Sequence, residues 1–298
     1  MFKKQVLDKG FVRLLNISGA VRRTFQRENV ANEVGYEDTE LVFDACDTNP
    51  ALVARTSFAK GLQEYTKEQD EALCEYLIRE GHNTPIEFTT VFLEVKMPIF
   101  VARQVMRSRT CSFNEVSGRY VTLPDDWYIP EIVRGKHSGG NKQGSEDNLP
   151  EELQKTFKEE LLFQCNRSYA YYEKFLEDGV CPEQARLMLH LNHYTQFVWK
   201  QDLHNLMHFL SLRLDEHAQW ETRQYAQAIY DLLKVHLPKS MEWFDEYRRK
   251  LDVTEKELLS TYVSYKLGNL DENDWTLAKD EQLIDLLKKL AKRNGVKL

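Results

Sequence analysis

Apolar positions recur at helical spacing across residues 68–80, where Leu73, Tyr76 and Leu77 share a face, so this stretch predicts a helix that stops at Gly81. Residues 89–96, Thr-Thr-Val-Phe-Leu-Glu-Val-Lys, form a β-rich run, and Pro98 suits the first turn of a helix over 98–109. Upstream, short β-type runs at 5–7 and 12–17 come before a charged stretch over 22–40. Downstream, long helical patterns cover 151–178, ending near Gly179, and 182–189 after Pro182. Residues 194–199 pattern as a strand, followed by helices over 203–211 and 215–236. The tail carries a capping box, Thr254-Glu-Lys-Glu257, and an amphipathic stretch over 282–292 with Leu283, Leu286, Leu287 and Leu290 on one side. No repeat recurs, and the sum is a helix-rich α+β chain with a few strands near its middle.

Composition places this pattern in a globular chain of one large or two small domains, since 42% hydrophobic residues over 298 positions can build a core. Forty basic against 47 acidic side chains leave a net charge of −7, which gives no general attraction to a nucleic acid polymer or an anionic membrane. Cys46, Cys74, Cys111, Cys165 and Cys181 have neither CxxC pairing nor zinc-finger spacing and read as reduced thiols. No signal-peptide core opens the chain and no segment approaches the roughly twenty apolar residues of a membrane span, so a cytoplasmic location is expected. Residues 137–150 have linker composition and predict a flexible insertion.

Against that acidic background, residues 103–120 stand out. They hold Arg103, Arg107, Arg109 and Arg119 beside Gln104, Asn114, Glu115 and Ser117. Guanidinium forks suit phosphate and polarised carbonyls, and the intervening amides and hydroxyls can orient a ligand; the alternative is a solvated basic helix face. A second concentration, His204, His208, Arg213, Asp215, His217 and Glu221, places His204 with His208 and His217 with Glu221 at i,i+4 on helix faces. That spacing admits a metal-dependent phosphohydrolase using His204, His208, Asp215 and His217. However, Asn205 stands where a zincin helix carries its general-base glutamate. There is no Gly-x-Ser-x-Gly elbow, and Cys111 reads as a buried filler. No Rossmann or Walker glycine pattern is present. From the residues alone, the reading stops at a phosphate-bearing ligand held by arginines.

The motif resembles the signature of the flavin-dependent thymidylate synthases, an Arg-His-Arg triplet followed after seven residues by Ser, here Arg107-Ser-Arg109 and Ser117. Further similar blocks follow in family order. They are His82-Asn-Thr-Pro-Ile-Glu87, Pro98-Ile-Phe-Val-Ala-Arg-Gln104, Ser117-Gly-Arg-Tyr120, Tyr128-Ile-Pro130, Ala185-Arg186 and Leu212-Arg-Leu-Asp-Glu-His-Ala-Gln219. The likeness covers roughly residues 5–245. It implies a catalytic domain over 1–250 containing the 137–150 insertion, and a helical extension over 251–298.

The resemblance further implies an α+β thymidylate synthase-complementing type fold with a small mixed or antiparallel central sheet. The assembly would be a homotetramer whose FAD sites are shared between subunits. The implied reaction is conversion of dUMP to dTMP with methylenetetrahydrofolate as carbon donor and NADPH as reductant. By the same likeness Gln104, Arg107, Glu115, Ser117, Gly118, Arg119 and Arg186 surround dUMP, and Arg213 favours ionisation at uracil N3. FAD meets Thr84, Arg107, Ser108, Arg109, Glu115, Asp202, His204 and His208, with His82 beside the flavin and folate rings and no metal required. Ser108 departs from the family histidine and gives up its ring stacking and titratable charge. That departure raises an alternative, a divergent paralogue that makes another C5-modified deoxyuridylate or is inactive. Asp202 falls where some relatives have Asn.

Overall fold

The computed structural model describes residues 2–18, 21–24, 39–42, 47–58, 65–136 and 145–249. In chain order these form β1 (Lys3–Val6), β2 (Gly10–Ser18), β3 (Val21–Thr24), β4 (Thr39–Val42), α1 (Asn49–Thr56) and α2 (Lys67–Glu80). Next come β5 (Thr90–Pro98), α3 (Ile99–Val105), β6 (Cys111–Glu115), β7 (Arg134–Lys136), β8 (Ser145–Asn148) and α4 (Glu151–Glu177). The last elements are α5 (Pro182–Ala185), β9 (Tyr194–Asp202), α6 (Leu203–Arg213), α7 (Trp220–His236) and α8 (Pro238–Tyr247).

Five strands make one sheet in the order β1-β2-β5-β9-β6, and every pairing in it is antiparallel. The mixed alternative is thereby set aside. Period-two patterning decides how β5 sits: Val91, Leu93, Val95 and Met97 are all buried while the residues between them are half-buried. Their core also contains Leu206 and Leu210 of α6, Ile229 and Leu233 of α7, and Met241 and Phe244 of α8. Each such side chain contributes about 1.5–3 kcal/mol when fully buried, so the sheet and the three late helices are held as one body.

Local chemistry explains most boundaries. Helix α2 begins in a capping box, with Thr66 accepting from Gln69 N while Gln69 accepts from Thr66 N, and ends at Gly81 with φ 77°. Strand β9 runs three residues past the predicted 194–199, because its whole length pairs with β5 from Tyr194 to Asp202.

Other expectations need correction. The helix foreseen over 98–109 ends at Val105: Ser108 N bonds to Val105 O in a tight turn and Thr110 takes φ 60°, a conformation closed to a continuing helix. The motif then returns as strand β6, because Phe113 packs against Phe197 and Trp199 of β9. Residues 182–189 divide into α5 and a 3-10 turn, Arg186–Met188. The helix foreseen over 215–236 begins at Trp220, because Asp215 accepts from His217 N and closes a separate turn. Within 137–150, residues Ser145–Asn148 pair with Arg134–Lys136 as a hairpin. Residues 137–144, most of the charged stretch, the Thr254 capping box, the 282–292 stretch and the 251–298 extension lie outside the described residues.

Candidate functional site

Two elements converge to build an arginine-lined cavity. The turn between α3 and β6 supplies Arg107, Ser108, Arg109 and Thr110, and the β9–α6 unit supplies Gln201, Asn205, His208, Phe209, Leu212 and Arg213 around a volume of about 410 Å³. The strand pairing sets this meeting, since Cys111 lies opposite Gln201 and brings the turn to the end of β9 from which α6 starts. The geometry requires a left-handed backbone at Thr110, a strain of order 1–3 kcal/mol for a β-branched residue.

The cavity is electrostatically one-sided. No carboxylate comes within ion-pair distance of Arg107, Arg109 or Arg213 among the described residues. Burial, and then the neighbouring Arg107 cation, lower the half-buried Arg213 guanidinium from its ordinary range. Arg107 and Arg109 are exposed at the rim, and this run of like charge around the half-buried Arg213 suits an anion. Gln201 adds a directional group: its Nε2 donates to Arg109 O at 3.2 Å, and its buried Oε1 has no protein partner among the described residues. Cys111 is no nucleophile here, since burial raises its thiol pKa and the thiol donates to Ser108 O at 3.2 Å.

Across His208 lies a smaller cavity of about 140 Å³, lined by Ile86, His204, Met207, His208, Ser211 and Arg248. His204 and His208 share this face of α6 as their spacing predicts. Asp202 caps the helix, accepting from Asn205 N at 2.8 Å, a task asparagine performs equally well. The segment carrying the exposed His82 and Thr84 is tied to the same region, because Asn83 Oδ1 accepts from Arg248 at 2.9 Å.

The other end of β6 carries the rest of the motif. Glu115 accepts from the Thr195 hydroxyl at 2.5 Å, and Ser117 Oγ accepts from Arg119 N at 3.3 Å. Arg119 pairs with Glu183 at 3.6 Å, and Arg186 Nε donates to Glu183 O at 3.3 Å. Gly118 is needed for this arrangement: a Cβ there would meet Leu123 Cδ1 at 2.9 Å and Arg186 Cδ at 3.4 Å. Arg119 and Arg186 thus form a second, exposed basic patch. A five-residue strand separates it from Arg107 and Arg213, roughly 17 Å at about 3.4 Å per residue. Within one chain the two basic clusters thus stand at opposite ends of β6.

Gln104 sits between α3 and α7, where its Nε2 donates to Gln219 Oε1 and its Oε1 accepts from Thr222 at 3.2 Å. Gln219 in turn donates to Glu221 at 2.9 Å, and Glu221, 3% exposed, also accepts from Arg134 at 2.6 Å and Tyr128 at 3.2 Å. The structure separates His217 from Glu221, contrary to the shared face expected of them: His217 is exposed and contacts Asp215, whereas Glu221 is buried in α7. His204, His208, Asp215 and His217 do not gather, and no group of three or more His, Cys, Asp or Glu able to hold a metal ion occurs among the described residues. Sequence reasoning missed Gln201, Arg134 and Arg248 as site-lining or supporting residues, since each lies outside the clusters of like chemistry. Gln201 lies opposite Val91 in the β5–β9 register, beyond the strand that the sequence pattern marks over 194–199.

The family described as thymidylate synthase complementing protein matches residues 42–239. A flavin-dependent thymidylate synthase of Wolbachia pipientis wMel is 39% identical over 274 residues, covering 86% of this chain and 95% of the relative. The chain belongs to the flavin-dependent thymidylate synthase family. Another family member, from Thermus thermophilus, is 42% identical over 242 residues, covering 81% of this chain and 78% of that one. The fold is likewise similar to the crystal structure of a UMP/dUMP methylase, PolB, from Streptomyces cacaoi bound with 5-Br dUMP. The TM-score is 0.65 at 24% identity, covering 81% of this chain and 97% of that one. As a member of the flavin-dependent thymidylate synthase family, the chain carries its triplet on the α3–β6 turn and Arg213 at the end of α6. No helix among the described residues is long and apolar enough to cross a membrane.

Proposed function

We infer that the protein is a flavin-dependent thymidylate synthase that methylates dUMP at C5 to give dTMP. Methylenetetrahydrofolate supplies the carbon and NADPH the reducing equivalents. One observation carries this reading: three arginines, Arg107, Arg109 and Arg213, stand around a single cavity with no carboxylate partner among the described residues. Such a pocket is built for a phosphate-bearing ligand with polarised carbonyls.

Uracil C5 is a poor nucleophile until charge is pushed onto the ring. Arg213, held half-buried beside Arg107, is the group to stabilise negative charge at N3 and its neighbouring oxygen, acting electrostatically and without taking a proton. Gln104, Glu115, Ser117, Gly118, Arg119 and Arg186 complete the dUMP shell. Ser117 serves as a hydrogen-bonding neighbour and not as a nucleophile. Thr84, Arg107, Ser108, Arg109, Glu115, Asp202, His204 and His208 hold FAD, whose redox chemistry supplies the hydride that side chains lack. The donors fit that group: Gln201 Oε1 and the Ser108 hydroxyl suit its polar edges, and the cationic walls suit its negative charge.

Because a strand's length separates the two basic clusters, the site is completed by a second copy of the chain. The assembly is the homotetramer with shared sites that the family resemblance implies. The net charge of −7 and the free Cys74, Cys111, Cys165 and Cys181 suit a cytoplasmic enzyme. Ser108 favours one second reading, a relative that installs another C5 group or has lost chemistry. Incubating the purified protein with FAD, dUMP, methylenetetrahydrofolate and NADPH decides between them. The synthase yields dTMP by mass and chromatography, whereas a different C5 adduct or unchanged dUMP rejects it.

A further inference from the structure

Arg248 closes α8 beyond residue 239, where the family match ends, and it reaches back to the second cavity on α6. Its Nε donates to Ile78 O at 2.9 Å and its Nη2 to Asn83 Oδ1 at 2.9 Å. These two bonds fix the guanidinium plane and leave three of its five N–H donors unspent. The residue is half-buried, burial lowers its pKa, and no carboxylate pairs with it among the described residues.

A fixed, partly desolvated cation without a counter-charge is costly, and an anion in the cavity it lines offsets that cost. The other walls suit the same guest. His204 and His208 offer imidazole nitrogens and Ser211 a hydroxyl. Burial first, then Arg248, lower the His204 pKa; Asp202 and Glu87 oppose them, and His208 acts in the same direction as Arg248. Of the two carboxylates, Asp202 is committed to capping α6 and Glu87 is exposed. The volume of about 140 Å³ is that of roughly four or five waters at about 30 Å³ each, room enough for a phosphate group.

We propose that Arg248, with His204 and His208, forms a phosphate subsite beside the main cavity. Two sources share this chemistry, the pyrophosphate of the flavin dinucleotide and the 2′-phosphate of the reductant. The choice between them rests on the flavin-dependent reading above, but the subsite itself does not. His208 borders both cavities and joins the subsite to the arginine-lined pocket.

The test uses the full 298-residue chain with Arg248→Gln and Arg248→Lys. Three quantities are read: thermal stabilisation by inorganic phosphate against chloride at equal ionic strength, FAD affinity, and KM for NADPH against NADH. Arg248→Gln should lose the larger part of the phosphate-specific stabilisation, and Arg248→Lys should keep more of it. A loss of FAD affinity of about tenfold assigns the pyrophosphate, and collapse of the NADPH preference over NADH assigns the 2′-phosphate. Loss of the phosphate response alone assigns free phosphate. A variant matching wild type in all three overturns the proposal. Should Arg248→Gln fail to fold, phosphate added to the wild-type apoprotein should displace the His204 and His208 imidazole resonances; unmoved resonances overturn it. A wild type that makes no dTMP but loses its phosphate response on substitution would reject the synthase reading and retain the subsite.

Discussion

The side-chain amide of Gln104 donates to that of Gln219, and the direction of this bond is dictated by Glu221. A carboxylate accepts only, so Gln219 must turn its amide nitrogen toward Glu221 and its carbonyl toward Gln104. Gln104 is then left with its carbonyl on the Thr222 hydroxyl and one amide N–H for a ligand. Gln219→Leu breaks this relay without touching the Arg134–Glu221 pair. The expected result is a rise in KM for dUMP of about tenfold, the value of one lost oriented hydrogen bond, with a smaller change in kcat. Steady-state kinetics with dUMP varied check it, and an unchanged KM would remove Gln104 from the site.

Arg213 has a different signature. Its charge acts on an anion that develops during reaction, so Arg213→Gln should lower kcat by about 10²-fold or more, while dUMP binding measured without turnover weakens less. A fall confined to binding would assign Arg213 to phosphate recognition alone.

Ser108 lines the arginine cavity, where a histidine ring would add a stacking surface. Ser108→His should tighten FAD by up to about tenfold, since an aromatic contact contributes about 0.5–1.5 kcal/mol. Flavin retention after gel filtration and the rate of dTMP formation read this out. If both are indifferent, the position is not a flavin contact.

Stability should depend on pH through His193, 1% exposed, whose ring contacts Pro124 O at 2.7 Å. Burial lowers its pKa below the ordinary 6.5, so the folded state favours the neutral ring. Between the folded value and 6.5 the unfolded chain binds more protons, and stability therefore rises with pH. The contribution is fully present above 6.5 and is lost as pH falls through the folded value. Chemical denaturation across pH 5–8 should show this slope, and His193→Gln should flatten it; His204, also lowered by burial, adds in the same sense.

Much of this was legible in the sequence where local chemistry governs. The alternation in 89–96 gave β5, Gly81 and Gly179 marked helix ends, and the arginine spacing identified the cavity wall. What stayed hidden depends on partners distant in sequence. Strand β6 forms because Phe113 meets Trp199, a contact across 86 positions that no local pattern of polar residues reveals. Arg134 and Glu221 likewise find each other through the β7 hairpin and α7, and Arg248 joins His204 only because α8 folds back over α2. The separation of Ser117 and Arg119 from Arg213 needed the strand between them to be known.

That separation yields the most direct test of a nucleotide site assembled from two chains. Arg119→Gln and Arg213→Gln, each nearly inactive alone, should recover dTMP formation when co-expressed, because some sites then draw an intact Arg119 from one copy and an intact Arg213 from another. Random pairing predicts up to about a quarter of wild-type activity per site. Activity that stays at the level of the separate variants would show both arginines serving within a single chain and contradict the account.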